Sequence, residues 1–99
     1  MKIAVTYQDG DIFQHFGHTE FFKIYDIENT EIVKTEIVST NGSGHGALAQ
    51  FLHEHSVDTL ICGGIGGGAQ LALSQAGIKL YGGVTGKADD TVNDLLNNK

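Results

Sequence analysis

Four residues in this chain stand out as candidate metal ligands, each within two positions of a glycine. His15-Phe16-Gly17-His18 puts two imidazoles in one short segment, and His45 stands inside Gly42-Ser43-Gly44-His45-Gly46. Cys62, the single cysteine, opens a run in which five of the next six residues are glycine: Gly63, Gly64, Gly66, Gly67 and Gly68, interrupted by Ile65. Neutral imidazole and thiolate are ligands for transition metals. Glycine lets another group approach the backbone closely, at an entropic cost to folding. Where such a run opens a helix, the first-turn N–H groups have no partner inside the helix and attract anions. The sequence therefore predicts a binding site, with His15, His18, His45 and Cys62 as candidate metal ligands and the backbone from Gly63 to Gly68 as an anion-accepting wall.

The run also fits a nucleotide fingerprint. Gly64, Gly66 and Ala69 satisfy G-x-G-x-x-G/A between a strand and a helix. The fingerprint calls for an acid at the end of the following strand, where this chain has Tyr81-Gly82-Gly83, and Asp89 falls instead in the last helix. A nucleotide- or phosphate-binding regulatory module using this loop is the alternative reading. Catalysis finds less support. Asp9, Asp11 and Glu20 could act with the histidines as general acids or bases, but there is no nucleophile elbow and no P-loop lysine, so the expectation is a binding protein and not an enzyme.

Composition narrows the partners. The 99 residues form one expected domain, 1–99, with twelve acids, six lysines, no arginine and no proline, for a formal net charge of −6. Nucleic-acid sites carry a basic footprint, so neither nucleic acid nor an anionic membrane is an expected partner. A lone cysteine fits a reducing compartment. The first residues are too strand-like for a signal peptide, so a cytoplasmic location is expected.

The elements that must position these residues follow from the hydrophobic pattern. Residues 2–7, 20–27, 31–38, 58–62 and 78–81 read as strands, the second and third joined through Glu28-Asn29-Thr30 as a hairpin. Residues 45–55, 66–76 and 88–97 read as helices; in the first, Leu48, Phe51, Leu52 and His55 fall at i, i+3, i+4 and i+7. Gly77 is the expected cap of the second. The order is β-β-β-α-β-α-β-α. With parallel crossovers, the loops 8–19, 39–44, 63–68 and 82–86 meet at one edge of the sheet, which brings the two histidine segments to the glycine run. Lys87 is the one cation expected at that rim, and His53 and His55 lie at the opposite end of their helix.

Three segments together resemble the dinitrogenase iron–molybdenum cofactor biosynthesis family. They are D-G-D-I-F-Q-H-F-G-H-T-E-F-F-K-I-Y-D, the G-H-G-A-L start of the first helix, and L-I-C-G-G-I-G-G-G-A-Q-L-A-L with the following G-I-K-L-Y-G-G. The resemblance runs nearly end to end. It implies an α/β, ribonuclease H-like three-layer fold with a mixed five-stranded sheet and three helices. It also implies a small nitrogenase accessory factor-like carrier or scaffold that binds an iron–sulfur-type cluster or iron–molybdenum cofactor precursor and passes it between donor and acceptor proteins. The family's histidine-loop motif falls on His15, Phe16 and Gly17 and its glycine loop on Cys62 to Gly68; His18 stands where other members often carry arginine.

Overall fold

The computed structural model describes residues 1–42 and 45–97; the side chains of His45 and Gly46 also lie outside the described residues. The sheet is built around β1 (Lys2–Gln8), whose Ile3, Ala4, Val5 and Thr6 are completely buried because both faces of the strand are covered. On one side β1 pairs antiparallel with β3 (Phe21–Glu28), and β3 pairs antiparallel with the edge strand β4 (Glu31–Ser39). On the other side it pairs parallel with β5 (Thr59–Ile61), which pairs parallel with β6 (Lys79–Tyr81). The order across the sheet is β4-β3-β1-β5-β6.

One strand was not legible in the hydrophobic pattern. Asp11–Ile12 forms β2, which folds back on the end of β1 with Tyr7 opposite Ile12 and Gln8 opposite Asp11. The mixed sheet therefore has six strands and not five. Asp9 and Gly10 make the turn, both at positive φ (51° and 92°), the geometry for which Asp-Gly is a favoured pair. Two residues are too few to show an alternating pattern.

Three helices cover the two faces. α1 (His45–Glu54) and α2 (Gly67–Gln75) bury Leu48, Ala49, Leu52 and Leu73 against Ala4, Phe22, Ile24 and Leu60. α3 (Ala88–Leu96) lies on the opposite face, burying Ala88 and Val92 against Ile3, Val5, Tyr25 and Ile61. Alternation along β1 and β3 supplies both cores, since successive side chains point to opposite faces. Gly77 follows α2 at φ +77°, the left-handed cap expected of it. Among the described residues, no helix is long and apolar enough to cross a membrane.

Candidate functional site

The loops that follow β1, β4, β5 and β6 are tied to one another by backbone hydrogen bonds, as the topology requires. Gly64 stands opposite His15 in a short parallel bridge. Its N–H donates to Gln14 O at 2.8 Å, and its carbonyl accepts from Phe16 N–H at 3.0 Å. Gly83 N–H donates to Gly63 O at 2.8 Å and Val84 N–H to Cys62 O at 3.0 Å, joining the loop after β6. Thr40 N–H donates to Glu20 O at 2.9 Å, and the Thr40 hydroxyl donates to Thr19 O at 2.9 Å, joining the segment after β4. Ser43 and Gly44, in the same predicted loop, lie outside the described residues.

The histidine segment is short and firmly held. Residues Phe16–His18 form one 3₁₀ turn, in which His18 N–H donates to His15 O and Thr19 N–H to Phe16 O. The Phe16 ring is buried and meets Phe22 at 6.3 Å between centroids. Phe16 thus anchors the turn in the core and does not face a ligand, while His15 and His18 are exposed. Gly17, between them, is half-buried. The edge of the Phe13 ring stands against His15, 6.0 Å between centroids.

The five glycines divide into two groups. A Cβ on Gly63 would come within 2.6 Å of Gln14 Cα, and one on Gly64 within 2.9 Å of Gln14 O. These two permit the histidine segment to press against the loop, which fixes the loop's position. Around Gly66, Gly67 and Gly68 a Cβ would meet nothing within 4 Å. Gly66 precedes α2 with no side-chain cap, and Gln70 N–H, donating to Gly66 O at 3.0 Å, begins the helical hydrogen-bond pattern. The N–H groups of Gly67, Gly68 and Ala69 therefore point out of the helix end without an intrahelical acceptor. The Ile65 carbonyl accepts from the Gln70 side chain, which steadies the turn.

Cys62 is not exposed beside His15 and the glycine loop. Its side chain is fully buried in the core shared with Ala4, Leu60 and Leu73, and burial pushes its thiol up to about 11. At neutral pH it is a thiol, whereas the ligating form is the thiolate. Among the described residues, no three His, Cys, Asp or Glu side chains are grouped to hold a metal ion. The His45 backbone opens α1, and its imidazole lies outside the described residues. Lys87 pairs with Asp11 at 3.0 Å, so its charge is already matched within the protein.

Sequence reasoning missed Gln14. Its side-chain amide donates to Ile12 O at 3.0 Å and Val84 O at 3.1 Å, while its backbone is the surface against which Gly63 and Gly64 close. Nothing in the pattern singles it out, because Val84, Gly63 and Gly64 are distant in sequence.

The sequence model of the dinitrogenase iron–molybdenum cofactor family matches residues 1–98. The chain belongs to this family. An uncharacterised protein of Methanocaldococcus jannaschii is 32% identical over 104 residues, covering 100% of this chain and 88% of that one. The crystal structure of PH0822 superposes with a TM-score of 0.94 at 27% identity, covering 100% of this chain and 91% of that one. The apo form of the orange protein from Desulfovibrio gigas superposes with a TM-score of 0.83 at 27% identity, covering 98% and 88%.

Proposed function

We propose that this member of the dinitrogenase iron–molybdenum cofactor family is a carrier or scaffold that accepts an iron–sulfur-type cluster, or an iron–molybdenum cofactor precursor, and yields it to a partner. The cargo lies against the N-terminus of α2, beside His15. One observation carries this reading: the two hydrogen bonds across Gly64 fix the exposed His15 next to the one stretch of the loop, Gly66 to Gly68, whose backbone is open. The chemistry fits such a cargo. A sulfide-bridged anionic cluster accepts hydrogen bonds from unpaired N–H groups, and an imidazole offers a nitrogen ligand. His18 is the second candidate contact and His45 the third. Few protein ligands suit a carrier that must release what it holds.

The family match and the likeness to the orange protein support cofactor-related chemistry. In this reading the protein is not an enzyme: it binds stoichiometrically, in the cytoplasm, and exchanges cargo with donor and acceptor proteins. The absence of arginine and the net charge of −6 argue against nucleic acid and anionic membranes as partners. A ribonuclease H-like three-layer arrangement is the fold reading that accompanies it, supported by the mixed sheet with helices on both faces.

Anaerobic titration with a synthetic [4Fe–4S] cluster, followed by absorbance and by iron and sulfide analysis, tests the proposal. Saturation at a fixed stoichiometry in the native chain, weakened at least tenfold in His15→Ala, is the expected result. Equal uptake by the two proteins removes His15 from the site. A thermal shift with nucleotides and none with the cluster would instead favour the phosphate-binding module; a ligand at 100 times its dissociation constant adds about 2.7 kcal/mol.

A further inference from the structure

A concavity lies at the same end of the sheet, on the α3 face. α3 covers β1 and β5, and Lys23 and Tyr25 of β3 reach Asp89 at its start. Beyond them the face is uncovered: Phe21 is 41% exposed and Ile37 of β4 is 54% exposed. Tyr7, Phe13, Phe21 and Ile37, with Gln8, Asp9, Gly10 and Glu20, line a cavity of about 440 Å³. That is within the size range of binding pockets, roughly 300–1,000 Å³. We propose that this cavity receives an arginine side chain from a partner protein.

The lining selects that occupant. Three aromatic rings and one isoleucine form the walls, and two carboxylates, Asp9 and Glu20, are the only ionisable groups in the lining apart from the Tyr7 phenol. A planar guanidinium stacks on aromatic faces and pairs with carboxylates, while its methylene stem suits an apolar wall. Lys23 Nζ stands 5.6 Å from the centre of the Tyr7 ring but is bound to Asp89 at 2.8 Å, and Lys87 is paired with Asp11 at 3.0 Å, so the charge of Asp9 and Glu20 is left for an incoming cation. The 99 residues contain no arginine, so neither this sequence nor a second copy of it supplies the occupant.

The walls are also held in place before anything binds. Phe13 is fixed at both ends, its N–H donating to Thr6 O at 2.9 Å and its carbonyl accepting from the Thr6 hydroxyl at 2.8 Å. Tyr7 and Phe21 stand opposite each other across β1 and β3. The Glu20 carbonyl is held by Thr40, and Asp9 sits in the turn between β1 and β2. A preformed cavity loses less on binding, and arginine and aromatic residues are enriched among the side chains that dominate protein interfaces.

The test is a proton–nitrogen NMR titration of the apo protein with acetyl-Leu-Arg-Leu-amide, its citrulline counterpart, and agmatine. The arginine peptide is expected to shift Tyr7, Phe13, Phe21, Ile37 and Glu20. The uncharged citrulline peptide, and agmatine, which keeps the guanidinium and a second cationic amine but lacks the peptide, should each bind at least tenfold more weakly. Glu20→Gln and Phe21→Ala should each weaken the arginine peptide at least fivefold, while Glu54→Gln, on exposed α1 surface, leaves it unchanged. Equal binding of arginine and citrulline peptides overturns the proposal, and so do shifts confined to the α2 N-terminus. Agmatine binding as tightly as the peptide overturns the protein partner in favour of a small cation. No cluster takes part, so the outcome is independent of the cargo titration.

Discussion

Gly63 and Gly64 are indistinguishable from Gly66 to Gly68 in the sequence, yet the two groups do opposite things. A methyl on Gly64 meets the Gln14 carbonyl at 2.9 Å, so Gly64→Ala should destabilise the protein by about 1–3 kcal/mol through overpacking, read as a lower midpoint in urea. Gly67 and Gly68 sit in the first turn of α2 with open space where a Cβ would go. Alanine there should stabilise the fold by roughly 0.5–1 kcal/mol each, while its methyls stand where the cargo would approach. The residues raise the expectation that the run binds something; how it divides was not legible, because the division depends on Gln14, about fifty positions earlier. Cys62 misled for a related reason. A cysteine at the end of a strand beside glycines resembles a ligand, but the strand carries it into the core. With its thiol raised to about 11 and shielded, Cys62 should resist iodoacetamide at pH 8 in the folded protein and react once urea unfolds it. Fast alkylation of the native chain would contradict that placement.

Among the elements, the long strands and all three helices could be read from periodicity, and the short pieces that aim the site could not. β2 and the 3₁₀ turn at Phe16–His18 are two and three residues long, too short for any periodic pattern to repeat. The β3–β4 hairpin was legible from its turn residues, and the structure adds that Asn29 and Thr30 both have positive φ (53° and 62°). A β-branched residue is strained there, so Thr30→Gly should raise stability by about 0.5–1 kcal/mol, despite losing the Thr30 hydroxyl bond to Asn29 O; thermal unfolding checks the sign. α3 is tied to β3 through Asp89, whose Oδ1 accepts from Lys23 Nζ at 2.8 Å and from the Tyr25 hydroxyl at 2.6 Å. These donors hold the Asp89 carboxyl below its ordinary value. Its contribution is therefore present above the unfolded value near pH ~3.9 and is lost as pH falls through the lower folded value. Asp89 is largely exposed, so that contribution is a few tenths of a kcal/mol at most. Burial and the Asp89 carboxylate raise the Tyr25 phenol, so stability should also decline above about pH 10, where the unfolded phenol ionises. Tyr25→Phe should cost about 1 kcal/mol at neutral pH and move the Asp89 titration upward in carbon-detected NMR.

Among the described residues two apolar cores, one on each face of the sheet, are filled by apolar side chains. Such a chain should fold empty: chelator should leave its unfolding midpoint unchanged, with one cooperative transition in urea. That behaviour suits a carrier, which must be stable both before and after it gives up its cargo, and distinguishes it from a small domain whose metal supplies its folding energy. The central claim is that the open backbone at the start of α2, beside His15, is where cargo binds. The most direct test is anaerobic cluster uptake by the Gly67→Ala/Gly68→Ala double variant, measured together with its urea midpoint. The account predicts a protein more stable than the native chain that takes up at least tenfold less cluster. A variant of equal or greater stability that takes up the cluster as the native chain does would contradict it.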